Sequence, residues 1–158
     1  MKAVFHHDYP YTTQPLPVNY DLTHAQPYFR QFPPLDSVVA TGTGFILRRK
    51  PDTVRAPDVG FVRAGRLTGS LPVAFFPGAP NLAVEVRSPG DTDAEVLAKM
   101  EDGRKAGCLA VWVIDPADET ATVYRLVYGV VLGRSVEELD GEEIVPGFRL
   151  CVADSFAS

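Results

Sequence analysis

Residues 82–115 constrain the fold more than any other stretch. Leu82-Ala83-Val84-Glu85-Val86-Arg87 is a short, mostly apolar run with strand character. Leu109-Ala110-Val111-Trp112-Val113-Ile114-Asp115 is a second, nearly continuous one, as expected of a strand buried on both faces. Between them Thr92-Asp93-Ala94-Glu95 has the form of a capping box, with Thr92 as N-cap and Glu95 at N3. The spacing predicts a helix from there to about Lys105, closed by Gly107 as the C′ residue. Val96 and Met100 mark its core face, with Leu97 a further candidate. A helix that crosses between two central strands points to an α/β or α+β domain.

The remaining pattern fits around this unit. Val38 to Ala40 and Gly44 to Arg48 read as strands on either side of the turn Thr41-Gly42-Thr43, and Asp58 to Arg63 as another. Leu71 to Phe76 is apolar, but Pro72 and Pro77 favour a loop there. Ala121 to Tyr128 and Val130 to Leu132 predict a hairpin or meander, and Glu142 to Val145 and Phe148 to Val152 short closing strands. Residues 1–35 differ: Pro10, Pro15, Pro17, Pro27, Pro33 and Pro34 interrupt any long helix or central strand. Only Ala25 to Phe32 suits a short helix. Their many aromatics argue against a simple disordered tail, so the segment is expected to wrap over the domain or across a partner subunit. The division is then residues 1–35 as a Pro- and aromatic-rich segment and 36–158 as one domain, a length that can bury a real core.

Charge and composition narrow the function classes. A net charge of −5 argues against a strong non-specific nucleic-acid binder but leaves room for an enzyme that meets nucleic acid on one local basic face. No apolar run reaches the eighteen or so residues of a transmembrane helix. The start, Met1-Lys2-Ala3-Val4-Phe5-His6-His7-Asp8, lacks the apolar centre of a signal peptide, which points to the cytoplasm. Cys108 and Cys151 have no recognisable spacing and are expected as buried free thiols.

The chemistry lies in two carboxylates. Asp58, in Pro57-Asp58-Val59-Gly60-Phe61-Val62, and Glu85 both sit within apolar strand runs, where a carboxylate is costly to bury without a partner. Side-chain alternation sets Glu85 and Arg87 on one face and Val84 and Val86 on the other, the geometry of a Glu-x-Lys pair with Arg in place of Lys. Two carboxylates from neighbouring strands, joined by the backbone carbonyl of Val86, suit a hard cation such as Mg²⁺ or Mn²⁺ and leave room for water and phosphate. Arg87 can hold phosphate but is a poor proton acceptor. Lys99, in the second turn of the helix after Glu85, is the better catalytic cation.

These residues carry a resemblance. Pro57-Asp58-Val59, Leu82-Ala83-Val84-Glu85-Val86-Arg87-Ser88-Pro89, Lys99, Ala106-Gly107, Val111-Trp112-Val113-Ile114-Asp115-Pro116 and Pro146-Gly147-Phe148 together resemble the Uma-type putative restriction endonuclease family, of the PD-(D/E)XK nuclease superfamily. The likeness spans Thr43 to Leu150. It implies a restriction-endonuclease-like central mixed β-sheet flanked by helices, with a divalent-metal site for cutting DNA. By it Asp58 and Glu85 are metal ligands and Lys99 is the catalytic cation, the family's lysine having moved from the Arg87 position to the following helix. Arg87 and Ser88 are then placed to touch substrate. One departure stands out: such proteins usually begin with a longer helical region bearing an acid near the site, whereas here only Asp21 and Asp36 are nearby acids. A homodimer would supply the missing cover.

Blander readings stay open beside these. Asp58 after Pro57 also suits a turn residue bonding local backbone, Lys99 a solvated helix position, and Ser88 a loop-former. Asp91 and Asp93 are explained by the helix dipole. Tyr124 and Arg125 suit surface packing as well as substrate contact. The expected function is therefore a divalent-metal-dependent DNA endonuclease, with two alternatives. One is a catalytically inactive nuclease-fold module acting through protein contacts; the other is a hydrolase of some other phosphoester.

Overall fold

The computed structural model describes residues 37–41, 43–67, 75–127 and 130–156. The expected segment 1–35, its short helix at Ala25 to Phe32, and most of the expected loop from Leu71 lie outside these.

The crossover unit forms as its sequence dictates. Strand β6 (Leu82–Val86) and strand β7 (Ala110–Asp115) pair in parallel, Leu82 opposite Ala110 and Val86 opposite Ile114. Helix α1 (Asp93–Lys105) connects them. Its capping box is complete: the Thr92 hydroxyl accepts from the Glu95 N–H, and the Glu95 carboxylate accepts from the Thr92 N–H. Ala106 is the C-cap, and Gly107 follows at φ +92°, a conformation that glycine adopts without the cost a side chain incurs.

Around this pair a mixed six-stranded sheet assembles in the order β1-β4-β6-β7-β8-β9. β1 (Ser37–Thr41) and β4 (Val59–Arg63) are antiparallel neighbours, as are β4 and β6. β7 continues antiparallel into the hairpin β8 (Thr120–Val127) and β9 (Val130–Val136). A smaller sheet orders β3 (Thr53–Arg55), β2 (Phe45–Arg48) and β5 (Phe76–Pro77). β1 and β2 thus join different sheets.

Alternation along the strands divides the core in two. On one face Val59, Phe61, Leu82, Val84, Ala110 and Trp112 pack against a closing unit containing Leu139, Ile144 and Val145. Phe148 of Pro146-Gly147-Phe148 stacks on Trp112 with ring centroids 5.6 Å apart. On the other face Val96 and Met100 of α1 cover Ala83, Val111 and Val113. Beside them Phe45 of the small sheet packs on Val62 and Phe76. Gly60 makes this contact possible, because a Cβ there would lie 2.6 Å from the Phe45 ring.

Three expectations need correction. Glu142 to Val145 is a turn rather than a strand, with Glu142 at φ +44°. The closing hairpin is instead β10 (Glu138–Asp140) with β11 (Arg149–Cys151). Ile144 and Val145 are buried through that turn, so their apolarity reflects core packing rather than strand pairing. Leu97 faces outward at 55% exposure, because the α1 stripe runs through 96, 99, 100 and 103. Cys151 is exposed, and only Cys108 is a buried thiol.

Candidate active site

Strand direction brings the two carboxylates to one end of the sheet. β4 and β6 run antiparallel, so Asp58, just before β4, and Glu85, near the end of β6, lie at the same edge. α1 departs from that edge, and its second turn carries Lys99 back over the strand. Lys99 Nζ lies 3.4 Å from Glu85 Oε2, with both side chains about 10% exposed. The inward stripe Val96, Lys99, Met100, Gly103 follows helical i, i+3, i+4, i+7 spacing, so the core contacts of Val96 and Met100 also aim the lysine.

Asp58 is 1% exposed, and its Oδ2 accepts a 2.6 Å hydrogen bond from the Val86 N–H. Within a strand the N–H and C=O of one residue leave toward the same neighbour, so the Val86 carbonyl also faces the Asp58 side. Burial pushes the Asp58 carboxyl up despite the Val86 N–H and the Lys99 charge, which pull it down. Glu85, 7% exposed, is pushed up to about 7, chiefly by burial; Lys99 opposes the shift and the Asp58 charge adds to it. Desolvation therefore outweighs the Lys99 ammonium at this edge.

The remaining predicted residues have other commitments. The Arg87 guanidinium meets Asp93 at 2.9 Å, Asp115 at 3.4 Å and the Asp91 carbonyl at 3.2 Å. It ties the ends of β6 and β7 to the start of α1. Ser88 lies in the turn before α1, its N–H donating to Asp91 Oδ2 at 2.9 Å. Arg125 pairs with Glu142 and Glu143 on the far side of the sheet.

One residue was missed by sequence reasoning. Arg55 of β3 lines the same cleft as Glu85 and Lys99, a space of about 30 Å³ that also touches Leu47, Gly103 and Cys108. Its guanidinium is ion-paired with Asp102 of α1. Its place depends on the pairing of Phe45 with Arg55, which no local signal reveals; the alternation Thr53-Val54-Arg55 is too short to stand out.

The donor set suits a hard divalent ion. Burial raises the proton affinity of both carboxylates beyond what the Lys99 ammonium offsets, so a dication would favour their ionised forms. Among the described residues no three of His, Cys, Asp and Glu cluster as a metal site. An ion here would take two side chains, a backbone oxygen and waters, a sparse set that matches Mg²⁺ better than Ca²⁺. No described helix is long and apolar enough to cross a membrane.

Comparison with known proteins agrees with this architecture. A family model named Uma2 and described as "Putative restriction endonuclease" matches residues 19–153. The fold is similar to the crystal structure of a putative nuclease belonging to DUF820 from Anabaena variabilis, with a TM-score of 0.66 and 18% identity. That match covers 85% of this chain and 74% of the other. No curated protein matches.

Proposed function

The chain belongs to the Uma2 family of putative restriction endonucleases, and on that basis we propose that it is a divalent-metal-dependent endonuclease acting on DNA. The observation that carries this reading is the ammonium of Lys99 held 3.4 Å from the buried Glu85 carboxylate, at the sheet edge that also holds Asp58. Asp58, Glu85 and the Val86 carbonyl would hold Mg²⁺ or Mn²⁺. When bound, the ion supplies a Lewis acid at the phosphate oxygens and acidifies an attacking water. Lys99, fixed by helix packing, neutralises charge developing on the scissile phosphate and orients the nucleophile. Arg87 and Ser88, at the start of the α1 connection, border the path of the substrate backbone. Two such sites are needed to cut both strands, which a homodimer provides.

A catalytically silent module acting through protein contacts is the second reading. The net charge of −5 and the engagement of Arg87 by two aspartates favour it. Plasmid nicking in Mg²⁺ or Mn²⁺ separates the two. The endonuclease reading expects metal-dependent nicking that disappears in Glu85→Ala; no nicking, or equal nicking by that variant, refutes it.

A further inference from the structure

The chain carries more acids than bases, 20 against 15, so a polyanion must be met through a local feature. Several of the described cations are neutralised within the chain: Arg125 by Glu142 and Glu143, Arg149 by Glu138 and Asp140, Arg104 by Glu101. The turn joining β2 to β3 is different. Arg48, Arg49 and Lys50 are consecutive and exposed. Among the described residues the Arg48 guanidinium bonds a neutral group, the Thr53 hydroxyl, at 3.1 Å. Among the described residues no carboxylate forms an ion pair with the Arg48 or Lys50 side chain; Asp52 ion-pairs with Arg49 at 2.7 Å and accepts from the Lys50 N–H at 3.3 Å.

The hairpin is also built into the candidate site. Its inner residues, Leu47 and Arg55, line the cleft with Glu85 and Lys99. The Arg55–Asp102 ion pair fastens β3 to the helix that carries Lys99. The basic tip follows Leu47 directly in the chain. Lys50 stands at φ +60°, a conformation that glycine adopts freely and that costs a residue with a side chain. Its N–H donates to the Asp52 carboxylate at 3.3 Å within the turn, while the residue is exposed, so the core does not require its charged side chain.

We propose that the β2–β3 hairpin is the arm that grips the backbone of duplex DNA next to the cleavage cleft, with Arg48, Arg49 and Lys50 each facing a phosphate. The proposal rests on the endonuclease reading and extends it to a specific surface. Arg48 ends β2 and Arg49 and Lys50 lie in the turn, so one tip carries three consecutive long cationic side chains for the closely spaced phosphates of one strand. Contacts of this kind fix position and register without reading sequence.

The test is equilibrium binding of a 20-base-pair duplex in EDTA, titrated with salt, with plasmid nicking in Mg²⁺ run in parallel. Arg48→Ala/Arg49→Ala/Lys50→Ala should flatten the log K against log salt slope by about 2 to 3, since each phosphate contact contributes about 0.9. Arg48→Lys/Arg49→Lys keeps the charges and should keep the slope. If the wild type binds and nicks but the alanine variant has an unchanged slope, the hairpin assignment is wrong while the endonuclease reading stands. If the lysine variant loses as much slope as the alanine variant, the effect is structural and the assignment is again wrong. If the alanine variant loses slope on single-stranded RNA but not on the duplex, the DNA assignment fails. A wild type that neither binds nor nicks refutes both.

Discussion

Replacing Glu85 with glutamine should remove a pH-dependent instability from the metal-free protein. Glu85 is 7% exposed and pushed up to about 7 from an ordinary 4.5. Between those values the folded state binds a proton that the unfolded state has released. Stability therefore falls as pH rises through this window, and the loss is complete above about pH 7. At 1.36 kcal/mol per pH unit the difference amounts to roughly 3 kcal/mol. The glutamine amide has no such titration. It also leaves Lys99 without its carboxylate, a constant offset across the window that a comparison of slopes ignores. Urea denaturation in EDTA from pH 4.5 to 8 provides the measurement, read as wild type minus Glu85→Gln. The difference should fall by about 2 to 3 kcal/mol across that range. A flat difference, or one that rises with pH, would mean that the Lys99 ion pair outweighs desolvation, and the assignment of a strained, cation-seeking carboxylate would be wrong.

Other expectations follow from the same geometry. Lys99→Met should lower metal-dependent nicking about 100-fold or more; because Lys99 holds the Glu85 proton affinity down, the acidic limb of the pH–rate profile should also move to higher pH. Gly60→Ala puts a methyl group 2.6 Å from the Phe45 ring and should cost about 1 to 3 kcal/mol in urea denaturation. A thiol reagent at pH 8 should titrate the exposed Cys151 in the native protein and both cysteines only after unfolding, because Cys108 is buried and its thiol is pushed up to about 12.

The parts of the fold that were legible in the sequence are those set by local chemistry. The capping box marked the first residue of α1, Gly107 its end, and the continuous apolar run strand β7. Glu85 was conspicuous because a carboxylate within an apolar strand violates the local pattern. Lys99 followed from its place on the next helix, and its approach to Glu85 depends on the 96-99-100-103 stripe that packs α1 on the sheet. What the sequence did not reveal depends on long-range pairing. β3 is three residues long and holds Arg55, whose role comes from lying opposite Phe45 and meeting Asp102 across 47 residues. Glu142 to Val145 looked like a strand because Ile144 and Val145 are buried, and a turn and a strand bury apolar side chains equally well. The ties of Arg87 were not legible either, because its three partners, Asp91, Asp93 and Asp115, come from a turn, a helix start and a strand end that only the folded chain brings together.

Calorimetric titration of Mn²⁺ into the wild type, Asp58→Asn and Glu85→Gln at pH 8 tests the central claim most directly, because it reads the metal site without requiring turnover. One ion per chain is expected for the wild type, with binding lost or strongly weakened in both variants. No binding by the wild type, or equal binding by all three proteins, would contradict a metal centre built on Asp58 and Glu85.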